Sequence, residues 1–283
     1  MRNALAVGLV IVSSALALAG GPLDAAMEAF RQGDYAKTVE LASSVKADDA
    51  ARPKAAYLTG EADLALEKWD DAAKAFQEVL AKKADNLPAL VGVGRAQTGK
   101  GATDDAVKTL EKAVKLDAKD VAARRSLGEA RLAAGDAEKA RADLDAAMKL
   151  DPKDVLSSRS LVEADLRGEK YDLAAREADR LVKAAPDAAM GLFLRALVLD
   201  RQGKDKDAID AYEKAIAKDD KFLDAHKNLA ILCVAKNNLY QDRERTKKAF
   251  DHFARYFELG GRDDELKKLY ETIKSFLEQN GFK

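Results

Sequence analysis

Ala72, Ala106, Ala140, Ala174 and Ala208 stand 34 residues apart in this chain, with no insertion or deletion between them. Gly60, Gly94 and Gly128 keep the same step, as do Gly101 with Gly135 and Ala113 with Ala147. A fixed period of that length belongs to helix–turn–helix arrays. One unit cannot bury its apolar face alone, and stacking on a neighbour completes the core. The expected fold class is therefore all-α, and the length of the array counts repeats rather than ordinary domains. The low aromatic content and the 34% of charged residues suit helices with solvated faces.

The two ends and the charge balance narrow the function classes. Met1, Arg2 and Asn3 make a short positive start, and Ala4 to Ala19 is an apolar run broken only by Gly8, Ser13 and Ser14. Ala17, Leu18 and Ala19 offer an A-x-A cleavage site, so residues 1–19 read as a signal peptide that exports the mature chain to the periplasm or beyond. The run falls short of the roughly 20 residues that span a bilayer, so no stable membrane span is expected in the mature chain. An uncleaved anchor is the alternative reading. The single cysteine, Cys233, sits in the apolar stretch 229–234 and reads as a small buried hydrophobe. With 48 basic residues interleaved among 49 acidic ones there is no basic stripe, and nucleic acid is excluded as the expected partner.

Numbering the period from its first helix puts Gly60, Gly94, Gly128, Val162, Ala196 and Ala230 at position 8, and the alanine series above at position 20. Small residues at both places let two helices approach closely, and Val162, the one departure, implies a looser hairpin there. Phe76, Leu110, Leu144 and Tyr212 supply bulk at position 24, and Gly33, Gly101, Gly135 and Gly203 mark the turn at position 15. Pro152 and Pro186 end hairpins, since proline cannot continue a helix. Asp117-Ala118 takes that place without proline, so a less sharply defined boundary is expected there. On these residues the chain resembles the tetratricopeptide repeat family. The resemblance implies a right-handed α-solenoid of tetratricopeptide helix-turn-helix repeats with a C-terminal capping helix. The array is expected over 20–259, in about seven repeats. In the last repeat the small core residue arrives late, at Ala249, which implies an insertion near 236–247. The capping helix is expected over 260–283, where Leu266, Leu269, Tyr270, Ile273, Phe276 and Leu277 keep helical spacing.

No pattern for catalysis, cofactor or metal stands out. The segment 94–101 nearly matches a phosphate-binding loop, but Gly101 replaces the required hydroxyl and no strand precedes it. His226 and His252 lie on different helices and read as packing or surface residues. The expectation is a chain that is not an enzyme and has no cofactor.

The family resemblance further implies that first helices line a concave groove through positions 2, 5, 9, 12 and 13. Carried over, this gives a charged stretch with Arg95, Arg125, Glu129, Arg159, Glu163 and Arg167. It also gives an apolar one with Leu156, Leu166, Met190, Phe193, Leu197, Ile231 and Val234. Arg125–Glu129 and Arg159–Glu163 are spaced i, i+4, so each pair is expected to satisfy itself. The carboxylate clamp of chaperone-tail binders fits poorly, because Ile231 stands where an asparagine belongs. The functional expectation is a scaffold or adaptor of the bacterial cell envelope that binds a partner peptide or helix in this groove. The alternative is a small-molecule-binding or accessory subunit of an enzyme complex.

Overall fold

The computed structural model describes residues 21–235 and 242–281. The expected signal peptide, and the part of the expected insertion at 236–241, lie outside the described residues. These residues form fifteen helices and, among them, no strand. The chain divides into two compact units at residue 134.

The first unit holds α1 (Pro22–Arg31), α2 (Tyr35–Ser43), α3 (Arg52–Ala65), α4 (Trp69–Lys82), α5 (Leu87–Lys100), α6 (Thr103–Leu116) and α7 (Val121–Ala133). Each helix packs on the next in sequence, and the first helices of successive hairpins also meet, α1 on α3, α3 on α5 and α5 on α7. The second unit holds α8 (Ala137–Leu150), α9 (Val155–Arg167), α10 (Tyr171–Ala184), α11 (Ala189–Arg201), α12 (Asp205–Lys218), α13 (Leu223–Ala235), α14 (Arg243–Glu258) and α15 (Asp264–Gln279). Its helices again pack in chain order, with α9 against α11.

The period works through close approach. Ala72, Ala106, Ala140, Ala174 and Ala208 are all fully buried. A Cβ on Gly60 would meet the Phe76 ring at 2.7 Å, and one on Gly94 would meet Leu110 Cγ at 2.4 Å. The bulky residue at position 24 therefore fills the space that the small residue at position 8 leaves. Filling such a site twice costs about 1–3 kcal/mol through overpacking.

The boundary at Asp117 is as sharp as those with proline, which corrects the sequence expectation. The Asp117 carboxylate accepts from the backbone N–H of Lys119, and Asp120 then caps α7 by accepting from Ala123. Asp151 and Asp154 repeat that arrangement before α9. An aspartate that bonds two residues ahead turns the chain whether or not proline follows.

The last hairpin departs from the others in length. Its second helix, α14, has 16 residues where α4, α6, α8, α10 and α12 have 14. The part of the insertion that is described is thus its helical start, capped by Asp242 on Arg245. Behind it α15 buries Ile273 and Leu277, and Tyr270 stacks on Phe250 with ring centroids 5.1 Å apart. Cys233 is buried and free, and burial pushes its thiol pKa up.

Candidate partner-binding site

In the second unit three first helices, α9, α11 and α13, enclose a cavity of about 410 Å³. Each contributes one stripe, because residues three or four apart share a helix face. From α9 come Arg159, Glu163 and Arg167; from α11 come Phe193, Leu197 and Arg201; from α13 come Asp224, Lys227 and Asn228. Leu166 and Leu194 complete an apolar floor. Phe193 is only 3% exposed and lies against Phe222 and Tyr212, with ring centroids 4.8 and 5.9 Å away. At the rim Arg167 pairs with Glu163 at 2.5 Å, while Asp224 is shared by Arg159 at 3.4 Å and Lys227 at 3.9 Å.

The first unit has a pocket of different character. About 470 Å³ in volume, it is lined by Leu23 and Met27 of α1, Pro53, Tyr57 and Leu58 of α3, Val79 of α4, and Pro88 of α5. Lys54 is the one charged residue in its lining. The Tyr57 hydroxyl is pushed up to about 12, by burial first and then by the neighbouring Glu61 carboxylate.

Two family models place this architecture. One described as tetratricopeptide repeat matches residues 63–132 and 98–155, and a second with the same description matches 160–221. The chain is a tetratricopeptide repeat protein. A tetratricopeptide repeat protein from Parabacteroides merdae superposes with a TM-score of 0.68 at 15% identity, over 89% of this chain and 97% of that one. The C-terminal part of a repeat-containing protein from Cytophaga hutchinsonii gives 0.50 at 18% identity, over 87% and 98%. A chain of the Cut9–Hcn1 hetero-tetramer gives 0.62 at 15% identity, over 88% of this chain and 48% of that one. At such identities the likeness extends to the fold alone. No curated protein sequence matches.

Of the thirteen groove residues expected in this repeat protein, the structure gathers six in the cavity of the second unit: Arg159, Glu163, Leu166, Arg167, Phe193 and Leu197. Met190 packs half-buried on the same core, and Leu156 is 51% exposed; neither lines the cavity. In the first unit Arg95 of α5 pairs with Glu61 of α3 at 3.0 Å, and Arg125 sits 4.0 Å from Glu129 within α7. The expected Arg159–Glu163 pair does not form. Arg159 reaches across to Asp224 on α13, and Glu163 is held from the next turn by Arg167, a cation spaced i, i+4 on its other side. Arg201 and Asp224 were missed although they occupy positions 13 and 2 of their repeats, both groove positions in the family register. Leu194 and Asn228 stand at position 6, for which the register gives no groove role.

The two histidines also come together, which sequence spacing did not indicate. His226 on α13 and His252 on α14 place their Nδ1 atoms 2.9 Å apart. The Nε2–H of His226 donates to the Asp220 carbonyl at 3.1 Å, so its Nδ1 accepts and that of His252 donates. Burial lowers both pKa values, and the neighbouring ring helps to push His252 down to about 4. Among the described residues no group of three or more His, Cys, Asp or Glu side chains is placed to hold a metal ion.

Proposed function

We propose that this protein is a non-enzymatic interaction adaptor of a bacterial cell envelope, and that it holds a peptide or helix of a partner protein in the cavity of its second unit. Tetratricopeptide repeat proteins are in general scaffolds rather than enzymes, and the fold supports a role in protein interaction. One observation carries the reading to a place in the molecule. The cavity combines an apolar floor at Phe193, Leu194 and Leu197 with a rim of charged side chains, the layout of an interaction site with an apolar centre and a polar edge. Export is supported by residues 1–19, with their positive start, apolar run and A-x-A ending. No helix among the described residues is long and apolar enough to cross a membrane.

The test is cross-linked affinity purification of the tagged protein from its native envelope, beside a Leu197→Glu variant. Leu197 is half-buried and lines the cavity, so it can be changed with less effect on the core than Phe193. A partner captured by the wild type and lost from a variant of unchanged melting temperature is the expected result. The same partners on both proteins would sink the assignment to this cavity. Cell fractionation with intact-mass measurement checks export: the expected product is periplasmic and lacks residues 1–19.

A further inference from the structure

We infer that the occupant of the cavity is an acidic segment of a partner protein, an apolar side chain with carboxylates on either side of it. The inference rests on the cavity being the partner site and adds the chemistry of the partner. Four cations, Arg159, Arg167, Arg201 and Lys227, face two carboxylates, Glu163 and Asp224, so the rim carries excess positive charge.

The ion-pair distances show where that excess lies. Arg167 and Glu163 are at full charge-assisted hydrogen-bonding distance, 2.5 Å. Asp224 serves two cations at once, at 3.4 Å from Arg159 and 3.9 Å from Lys227. Both separations exceed the roughly 2.7–2.9 Å of a well-made N⁺–H···O⁻ bond, so both cations keep donors for a further carboxylate. Arg201 stands exposed in the last turn of α11 and, among the described residues, has no ion-pair partner.

The floor decides between a peptide and a free anion. Beneath these cations Leu197, half-buried, opens into the cavity over the buried Phe193 and Leu194, and an inorganic anion would leave it wet. A carboxylate carried on a peptide beside a leucine or phenylalanine satisfies rim and floor together. Nucleic acid is disfavoured, because the chain as a whole has 48 bases against 49 acids and no basic stripe continues from the rim.

The experiment is selection of a displayed library of random dodecapeptides on the full-length protein, in parallel with its Arg201→Glu and Leu197→Glu variants. Melting curves confirm that both variants fold. The expected enrichment on the wild type is for sequences with Asp or Glu on both sides of an apolar residue. Their affinity should fall about tenfold on Arg201→Glu, as removal and reversal of a rim charge does, and should weaken as salt rises. Enriched peptides that need Leu197 but carry no acidic residue would overturn the inference and leave the cavity as the partner site. Enrichment indifferent to both substitutions would overturn the cavity reading along with it. Displacement of the peptides by sulfate at comparable concentration would also overturn the inference, by making the ligand a free anion.

Discussion

The pocket of the first unit and the cavity of the second share positions 2, 5, 6 and 9 of the repeat and differ in chemistry at most of them. At position 5 the first unit puts Leu23 and Tyr57 into its pocket, whereas the second puts Arg159, Phe193 and Lys227 into its cavity. At position 9 Met27 contrasts with Glu163 and Leu197. Position 20 is alanine from Ala72 to Ala208 in both units, and position 8 stays small apart from Val162, glycine in the first unit and alanine at Ala196 and Ala230 in the second, because the helices approach closely there. Packing thus fixes one face of each first helix and leaves the other free to diverge. On the proposed reading, partner chemistry belongs to that free face.

The units differ also in how closely site and core are joined. Phe193 is floor and core at once, with its ring against Tyr212 and Phe222. In the first unit Val79 alone of the pocket lining is also buried core, and Leu23, Met27, Tyr57 and Leu58 are half-buried. Phe193→Ala is expected to cost about 3–5 kcal/mol, as a large cavity in a packed core does. Met27→Ala should cost about 1 kcal/mol, a fraction of the value for a fully buried side chain. Urea denaturation of both variants measures the contrast, and equal losses would break it. One consequence is that loss of binding at Phe193 reports on folding, so Leu197 and Arg201 are the informative substitutions.

Acid should separate the units next. Both histidines of the chain lie in the second unit, facing each other at 2.9 Å. From α12 and the turn that follows it, Glu213, Asp219 and Asp220 act on the pair; from α14, Lys248 and Arg255 do. Burial holds both rings neutral in the fold. The unfolded chain protonates them near pH 6.5, whereas folded His252 waits until about 4. Between those values the unfolded state binds more protons, so stability falls as pH falls and levels off below about 4. The loss attributable to His252 is about 2–3 kcal/mol. Hydrogen exchange should show α13 and α14 opening first across this window. A His226→Asn, His252→Gln variant should lack that component; an unchanged pH profile in the variant would assign the acid response elsewhere.

These outcomes bear on what a sequence of this kind discloses. The hairpins and their small residues follow from a period whose cause is steric and local, and the capping helix follows from the helical spacing of its apolar residues, so all are legible from the sequence. The site is legible only in part. Register places Arg159, Glu163, Phe193 and Leu197 on the lining face, yet it could not tell that Phe193 is also buried, because that depends on Tyr212 and Phe222 beyond it. Spacing within one helix suggested Arg159–Glu163, but the pair that forms, Arg159 with Asp224, joins helices 65 residues apart in sequence. The histidine pair is hidden for the same reason: an insertion of uneven length separates its members, and no period predicts their meeting.

The smallest predicted effect tests whether the units differ anywhere except in their linings. At position 15 the chain turns through the left-handed region, with φ of 75° at Gly33, 83° at Gly101, 83° at Gly135 and 75° at Gly203. Glu67, in the first unit, and Glu169, in the second, occupy the same turn with φ of 57° and 55°. A side chain in that region costs roughly 1–2 kcal/mol, and glycine gives back about 0.5–1 kcal/mol in lost chain entropy. Glu67→Gly and Glu169→Gly should therefore each stabilise the protein by about 0.5–1 kcal/mol. Gly101→Ala should cost about 1 kcal/mol for the converse reason. At Gly101 nothing lies within 4 Å of where the added Cβ would stand, so backbone strain alone sets that sign. Thermal denaturation followed by circular dichroism measures all three. Because Glu67 and Glu169 touch neither cavity, equal gains would confine the divergence of the two units to the faces that line them. Unequal gains would mean that the turns have diverged as well, and that repeat position alone does not set the local backbone.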